Sequence, residues 1–393
     1  MLRARRTDAV AAAIVGLFVV PMAAALLLRH DPPVDLAVYL RAGRMFATGG
    51  GLYADGWGSV LAHPLPYTYP PLWAAIVAPI SWLPWRTASL LWFAVNVTAL
   101  IWLVRLSYAR FLATTGRSRR VALAAIVVVM AATTPIGSAL WFGQVGILLV
   151  AACLADVVPE RTRLPRGVLV GLATAVKLTP GIFVAYWIVT RRWRAAITSI
   201  ATTIGLWLAV AAVRPDLARE YLVRVAFRAD VIGDPGFVSN QSIYGALARA
   251  GWTGPLWLGL AATVLVVGLL RARDAHRRGN ELAAATLMGV ASLLISPISW
   301  IDHAVWIVPA SGLVLSEGRS TRRRLSWAAL VTLFVLRLPD WVASGQIPVA
   351  PALGPVLENA YLWTYVALLL FLPVGPTVET ATTYESVGSA TPS

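Results

Sequence analysis

The sequence predicts an all-α, polytopic membrane protein, and three observations support this fold class. Of the 393 residues, 58% are hydrophobic and only 13% are charged, whereas a soluble domain carries roughly a quarter charged residues. Apolar runs of about 15 to 20 residues recur along the chain, a length that suits helices crossing a ~30 Å hydrocarbon layer. The arginines stand in short clusters between these runs, a pattern typical of cytoplasmic loops rather than of a nucleic-acid-binding face.

Six arginine clusters orient the predicted helices in the membrane. They hold 22 of the 32 arginines and lie at residues 3–6, 105–120, 161–166, 191–194, 271–278 and 319–324. Because positively charged loops remain in the cytoplasm, we place all six there, which gives a path with both termini inside. The path has twelve crossings, predicted at residues 9–28, 87–104, 121–136, 144–158, 166–177, 180–190, 195–213, 254–270, 281–296, 303–316, 325–338 and 360–375.

This path predicts a single transmembrane domain followed by a short tail. The domain covers residues 1–375, and its first apolar stretch, at about 20 residues, is predicted to be an uncleaved anchor because it is longer than a signal-peptide core. Three long segments lie outside, at residues 29–86, 214–253 and 339–359. Residues 376–393 are polar and are expected to form a disordered cytoplasmic tail.

The apolar segment 69–84 does not fit the path as a crossing, since it would move the arginines of 105–120 to the outside. We predict instead a helix that lies in or dips into the outer interface, started by its two prolines. Trp73, Trp82 and Trp85 suit that depth, because tryptophan is enriched at membrane–water interfaces.

Polar side chains that are unusual in a membrane protein fall on the outer side of this path. They are Asp31, Asp35, Gln144, Lys177, the stretch SNQS (239–242) and the stretch SPISWIDH (296–303). The predicted cytoplasmic side offers only arginine-rich loops. The sequence therefore predicts an active site that faces outward.

Asp35 heads the stretch DLAVYLRAG and, on a helix, shares a face with Tyr39 four residues later. A carboxylate in that place can act as a general base on a substrate hydroxyl if burial or neighbours tune it. A helix cap or a solvated loop acid is the alternative, and Asp31 in the stretch DPPVD is a rival for the same role.

Lys177 is the only lysine of the chain, and it lies in the apolar stretch LATAVKLTPGIFVAYW. A charge fully within hydrocarbon costs roughly 2.5 to 3.5 kcal/mol on insertion scales, so it needs a partner or a route to water. Snorkelling to the outer headgroups is one explanation. The phosphate of a lipid-linked substrate, bound by a compact point charge, is the other.

Other outer residues admit a binding or a structural role. Tyr69 in YTYPPL can stack on a sugar ring or belong to the aromatic belt, and Gln144 can bind a ligand or another helix. Asn240 and Gln241 form a weak motif that also fits a glycosylation site. His303 can bind a phosphate or a hydroxyl, or pack at the interface. As helical neighbours, Asp302 and His303 are not expected to pair directly.

No metal site, disulfide or cofactor is predicted. Cys153 is the only cysteine and cannot form an intramolecular disulfide. The other histidines, His30, His63 and His276, are dispersed along the sequence, with His276 on the inner side.

Taken together, the motifs DLAVYLRAG, PYTYPPL, WFGQVGILLV, AVKLTPGIFVAYWIVTRRWRAA, SNQS and SPISWIDHAVW resemble glycosyltransferase family 87. They occur in the right order between about residues 31 and 310. The resemblance implies a GT-C type bundle with an outer-loop active site in the plasma membrane. It also implies transfer of mannose from polyprenyl-phosphate mannose to phosphatidylinositol mannosides or related lipoglycans, and it is strongest to the α-1,2-mannosyltransferases.

The resemblance also implies roles for individual residues. Asp35 occupies the place of the catalytic carboxylate in the first outer loop, which implies an inverting reaction with this side chain as the base. Lys177 and His303 are implied to bind the donor phosphate, and the chain has IDH where many members have DHH or HH, which leaves Asp302 open. The residues implied to bind substrate are Tyr39, Tyr69, Gln144, Asn240, Gln241 and Trp300.

Two alternatives remain at this stage. A related branch of the family transfers arabinofuranose from its polyprenyl phosphate. A flippase or transporter of a lipid-linked sugar would also be polytopic, but it would show related halves and polar residues near the middle of the membrane. Neither nucleic acid nor an obligatory protein partner is predicted.

Overall fold

The computed structural model describes residues 2–53, 65–226, 228, 233–252, 254–316 and 320–375. Within these ranges the secondary structure is helical, and the only extended pairing recorded is a single bridge between Asn240 and Trp300. The predicted all-α class therefore holds for the described part of the chain. The predicted tail, 376–393, lies outside the described residues.

Twenty α-helices follow one another along the described chain. They are α1 (Leu2–Leu28), α2 (Val34–Thr48), α3 (Pro71–Val77), α4 (Trp85–Ser107), α5 (Ala109–Thr114), α6 (Arg119–Ala132), α7 (Thr134–Phe142), α8 (Gly146–Val157), α9 (Val168–Val176), α10 (Ile182–Val189), α11 (Trp193–Val213), α12 (Pro215–Glu220), α13 (Ile243–Arg249), α14 (Leu256–Arg277), α15 (Glu281–Ile295), α16 (Ile307–Ser316), α17 (Thr321–Val335), α18 (Leu338–Ala343), α19 (Gly354–Glu358) and α20 (Ala360–Phe371). Short 3₁₀ or π turns join several of them, at Ala78–Trp82, Gly116–Ser118, Thr179–Gly181, Tyr221–Val225 and Ile301–Trp306.

Four of the described helices are long and apolar enough to cross a membrane alone: most of α1, and α4, α11 and α14. A fifth span results if α6 and α7, which meet at an angle of 77°, are counted as one broken span. This length and composition identify a membrane protein with several spans. The predicted count of twelve is not confirmed, because the remaining apolar helices are only 10–17 residues long.

Apolar side chains are distributed as expected for helices surrounded by lipid. In α1, α11 and α14 at most 17% of the 18-residue apolar stretch of each helix is buried within the protein, whereas in α4 the buried share is 50%. Leu17, Leu208 and Leu258 are among the large apolar side chains that project from these outer helices. A hydrocarbon solvent around them accounts for this exposure, since such side chains would be costly in water.

Helix α15 lies at the centre of the bundle, where most of its side chains are buried. It packs against α14, α20, α16 and α8. Gly289 makes one of these contacts possible: a Cβ atom there would lie 2.0 Å from Cδ2 of Trp306. The indole ring thus packs directly on the α15 backbone, which brings the segment that contains Trp306 against the core.

The predicted interfacial helix over 69–84 is observed as α3 together with the turn Ala78–Trp82. Pro71 occupies an early helical position, where its missing N–H is not needed. The tryptophans of this segment differ in exposure, and their depth in the membrane stays a prediction. Trp82 is 63% exposed, but Trp73 is 5% exposed and packs edge-on against Tyr39. One face of α3 therefore supports α2 rather than facing lipid.

Candidate active site

Asp35 lies in the first turn of α2, two residues after the N-cap residue Pro33. A carboxylate there is favoured by the helix dipole, whose positive end is at the N-terminus. Asp35 is half-buried, whereas Asp31 in the same segment is exposed. Tyr39 lies one turn later with its side chain fully buried, so the predicted helical spacing of the two residues is observed.

A hydrogen-bonded group of two tyrosines and a glutamine lies beside Asp35. The Tyr39 hydroxyl is 2.9 Å from the Tyr69 hydroxyl. Oε1 of Gln144 accepts from both phenols, at 3.1 Å from Tyr39 and 3.2 Å from Tyr69. Because these bonds occupy the Gln144 carbonyl, its amide N–H₂ group is directed elsewhere.

The Gln144 amide forms a side-chain hydrogen bond with Asp35. Gly143 makes this placement possible: its φ of +76° favours glycine, and a Cβ atom would lie 2.8 Å from Cβ of Leu36. Nε1 of Trp92 also donates to the Gly143 carbonyl, at 2.7 Å. The end of α7 is thereby held against the start of α2.

Asp35 lies in a segment outside the predicted crossings, and its carboxyl has a raised pKa, mainly because of burial. Burial, followed by the charge of Asp302, raises the pKa of this carboxyl to about 8, while Lys177 and the Gln144 hydrogen bond oppose the rise. A group with such a pKa can take up a proton near neutral pH. That property suits a general base.

Lys177 and His303 form a close pair next to this group. Lys177 ends α9 with extended backbone, φ −150° and ψ 131°, and its Nζ lies 2.9 Å from Nε2 of His303. The same Nζ lies 5.3 Å from the centre of the Tyr69 ring, within the range of a cation–π contact. An ammonium can only donate, so this contact requires an unprotonated Nε2 on His303.

Asp302 is the residue of the group that the sequence left open. Asp302 is 7% exposed, and its Oδ2 is enclosed and has no hydrogen-bond partner among the described residues. That oxygen lies 3.8 Å from Nε2 of His303, which is too far for a hydrogen bond. The distance would suit an ion pair only if the imidazole were protonated, and the contact with Lys177 requires an unprotonated Nε2. As expected, these neighbours do not form a hydrogen bond with each other. The turn Ile301–Trp306 departs from helical geometry at Ala304.

The side-chain amide of Asn240 is buried and forms its hydrogen bonds with backbone groups of the protein. Its Oδ1 accepts from the backbone N–H of Ser299 at 2.9 Å and from that of Ser242 at 3.3 Å. Its Nδ2 donates to the carbonyls of Pro235 at 2.9 Å and Pro297 at 3.0 Å. All four hydrogen-bonding positions of the amide are used within the protein.

Gln241 is satisfied in the same way. Its Nε2 donates to the carbonyls of Val238 and Glu358, each at 2.7 Å, and its Oε1 accepts from the N–H of Leu362 at 3.2 Å. Together with Asn240, this residue ties the outer segment to the segment that leads to His303. In this structure the two amides support the group around Asp35 and are not members of it.

Trp300 lies at the edge of the same region and is half-buried. Its ring packs near Gly233 and forms an edge contact with Phe237, with 6.3 Å between ring centres. The structure thus brings together Asp35, Tyr39, Tyr69, Gln144, Lys177 and His303 from the predicted set, and adds Asp302.

A cavity with largely apolar walls begins at the Lys177–His303 pair and extends along α8. Its lining includes Leu149, Val150, Cys153, Phe183, Leu293 and Trp306. Such a surface suits a hydrocarbon chain, with the charged pair beside it. Among the described residues no three histidine, cysteine or acidic side chains are close enough to hold a metal ion together.

The fold and this group of side chains define a helical membrane protein with a carboxylate, a lysine and a histidine gathered beside an apolar cavity. Residues 67–297 match glycosyltransferase family 87, which is more than half of the chain. The chain belongs to this family, as the sequence motifs predicted.

Curated relatives support the same assignment. A Mycolicibacterium smegmatis protein is 33% identical over 373 residues, 86% of this chain and 83% of its own length. A Mycobacterium tuberculosis protein is 32% identical, over 81% of this chain and 78% of its own length. Both are named polyprenol-phosphate-mannose-dependent alpha-(1-2)-phosphatidylinositol mannoside mannosyltransferases.

A third relative, also from Mycobacterium tuberculosis, is 35% identical over 80% of this chain and 74% of its own length. It is named a polyprenol-phosphate-mannose-dependent alpha-(1-2)-phosphatidylinositol pentamannoside mannosyltransferase. No solved structure matches this chain.

Proposed function

We propose that this protein transfers mannose from polyprenyl-phosphate mannose to a phosphatidylinositol mannoside or a related lipoglycan, forming an α-1,2 linkage. The observation that carries the proposal is the meeting of Asp35, Lys177 and His303 beside an apolar cavity. The names of the relatives, which specify this donor, acceptor class and linkage, support it.

Asp35 is the proposed base. It takes the proton of the acceptor hydroxyl while that oxygen forms a bond to the anomeric carbon of the β-linked donor. The bond between that carbon and the phosphate oxygen breaks, and its electron pair leaves with the polyprenyl phosphate. Attack from the opposite face inverts the centre and gives an α-mannoside. A pKa of about 8 for Asp35 allows the carboxyl to hold the proton after transfer.

Lys177 is the proposed partner of the leaving phosphate. Its ammonium lies between His303 and the Tyr69 ring, so a positive charge is already present at the site when the donor arrives. A charge placed in advance stabilises the negative charge that develops on the leaving group without reorganisation during the reaction. Phosphate is a good leaving group once its charge is stabilised, so this step needs no strong general acid.

The remaining predicted residues have supporting parts in this proposal. Tyr39, Tyr69 and Gln144 hold Asp35 and line the approach to it. Trp300, half-buried at the edge, offers a face on which the acceptor sugar can stack. We infer that Asn240 and Gln241 act through the backbone they bind and not through contact with sugar.

The part of the polyprenyl chain next to the phosphate is proposed to lie at the apolar cavity along α8. We further propose that residues 1–375 form one GT-C type domain in the plasma membrane and that the short apolar helices complete a path of about twelve crossings. The group around Asp35 then faces outward. The arginine clusters support this orientation, because positively charged loops remain in the cytoplasm.

Cysteine labelling tests the proposed sidedness, because the single native cysteine, Cys153, is buried. Ser344 and Ser118 are both exposed and belong to a predicted outer segment and a predicted cytoplasmic cluster, respectively. In intact cells a membrane-impermeant maleimide should label Ser344→Cys and should reach Ser118→Cys only after permeabilisation. Labelling of Ser118→Cys in sealed cells would contradict the orientation.

The reaction itself is tested with membranes that contain the protein, radiolabelled polyprenyl-phosphate mannose and a phosphatidylinositol mannoside. We expect a labelled glycolipid whose new sugar is released by an α-1,2-specific mannosidase, and no such product in membranes without the protein. A product formed only from polyprenyl-phosphate arabinose would identify an arabinofuranosyltransferase. Passage of labelled donor across proteoliposomes without product would identify a flippase.

A further inference from the structure

Asp302 presents a problem that the proposed reaction leaves unsolved. Its Oδ2 is enclosed by protein and lacks a hydrogen-bond partner in the part of the chain that the structure describes, and the residue is 7% exposed. A buried carboxylate oxygen without a partner is costly. Because the atom is enclosed, its partner should come from a neighbouring side chain rather than from bulk water.

The nearest candidate donor is His303, whose Nε2 lies 3.8 Å from this oxygen. That nitrogen is engaged by Lys177, whose Nζ lies 2.9 Å away. Since the ammonium donates, Nε2 acts as an acceptor there and cannot at the same time donate to Asp302. The two contacts of His303 are therefore mutually exclusive.

We propose that Asp302 is a positioning residue that accepts a hydrogen bond from His303 when the donor phosphate draws Lys177 away from that histidine. Freed from Lys177, Nε2 of His303 binds one proton from solvent, and the resulting imidazolium donates a hydrogen bond from Nε2 to Oδ2 of Asp302. The inference rests on the proposed function, because it requires a phosphate-containing donor at Lys177. It adds that donor binding is coupled to proton uptake.

The charges around the pair favour this exchange. Lys177, Asp35 and Asp302 influence one another electrostatically, and a donor phosphodiester adds one negative charge to them. Protonation of His303 restores the balance, and Asp302 stabilises the imidazolium. The other titratable groups that interact with Asp302 are the phenols Tyr39, Tyr69 and Tyr365, which have no charge at neutral pH.

The test measures binding of polyprenyl-phosphate mannose to the full-length purified protein between pH 5.5 and 7.5, without acceptor. The donor is a phosphodiester and does not itself titrate in this range. The Asp35→Asn background is used so that this carboxyl contributes no proton and the donor is not consumed. By linkage, uptake of one proton weakens binding by up to about tenfold for each unit of rising pH.

In the Asp35→Asn background we expect this pH dependence, and Asp302→Asn should reduce it to less than about twofold per unit. Asp216→Asn is the matched control: it is an exposed carboxylate of the outer side, paired with Arg214, and should leave the dependence unchanged. If the Asp302 variant does not fold, His303→Gln must remove the dependence instead.

A pH dependence that survives in Asp302→Asn or in His303→Gln would overturn the inference, as would its absence in the parent background. A wrong assignment of the donor gives a different result, since polyprenyl-phosphate mannose would then not bind at any pH in the range. Failure of the transfer reaction itself is reported separately, by the absence of labelled glycolipid in the membrane assay, so the failures are distinguishable.

Discussion

Two groups of charged side chains differ in how completely they are hydrogen-bonded, although each contains a histidine, a cation and a carboxylate. The group at the predicted cytoplasmic end joins α10, α14 and α15 through Glu281. Tyr186 donates to this carboxylate at 2.6 Å, Arg192 at 2.5 Å, and Nδ1 of His276 lies 2.7 Å from it. Both carboxylate oxygens are used.

The group around Asp35 leaves bonding capacity free. Within the described residues, Oδ2 of Asp302 has no hydrogen-bond partner and Nζ of Lys177 has one hydrogen-bond contact, to His303, although an ammonium has three donors. A saturated network holds helices together, whereas an unsaturated buried group can be completed by a ligand. The comparison supports a structural role for the first group and the proposed substrate role for the second.

Replacing the cation of each group should separate these roles most strongly. Lys177→Met removes the proposed phosphate partner and should lower kcat/KM by about 10²–10³-fold, the range found when a preorganised transition-state donor is lost. Arg192→Met should instead lower Tm by several degrees, with turnover per folded molecule within about threefold of the parent. Both measurements use detergent-solubilised protein. Equal loss of turnover in the two variants would contradict the difference in role between the two groups.

The two histidines give a second, smaller contrast. His303→Gln should lower turnover by about 10–100-fold, because an amide cannot become a cation beside the phosphate. His276→Gln keeps a polar side chain near Glu281 and should affect thermal stability more than rate. The comparison fails if the His276 variant loses as much turnover per folded molecule as the His303 variant.

The pH profile tests the base directly, and its Gln144 variant gives the smallest expected effect. At saturating donor, kcat should rise with pH between 6 and 8, because Asp35 must be ionised to act as a base and its pKa is about 8. The Gln144 hydrogen bond lowers this pKa, so Gln144→Leu should move the rise to higher pH and reduce the rate at pH 7 several-fold. A profile that falls with rising pH in this range would exclude Asp35 as the base.

Much of the fold and part of the site follow from local sequence patterns. The apolar runs locate the long helices, and the spacing of Asp35 and Tyr39 places them on one helical face, as observed. The segment 69–84 begins its helix at the predicted prolines. These features depend on residues within a turn or two of each other, where chain geometry restricts the outcome.

Contacts between distant segments could not be predicted in the same way. Lys177 and His303 are 126 residues apart, and no local pattern indicates that they touch. Asn240 looked like a substrate contact, but its partners are backbone groups as far away as Ser299. The burial of Trp73 by α2 also depends on tertiary packing. Likewise, only the three-dimensional structure shows that Oδ2 of Asp302 lacks a hydrogen-bond partner among the described residues.

The most direct test of the account compares Asp35→Asn with Asp31→Asn, using labelled polyprenyl-phosphate mannose and a phosphatidylinositol mannoside at equal protein levels. Loss of the base should reduce turnover by about 10²–10⁴-fold in Asp35→Asn. Asp31 is exposed, and its variant should retain turnover within about threefold. Turnover that survives in Asp35→Asn but is lost in Asp31→Asn would contradict the central claim and assign the base to Asp31.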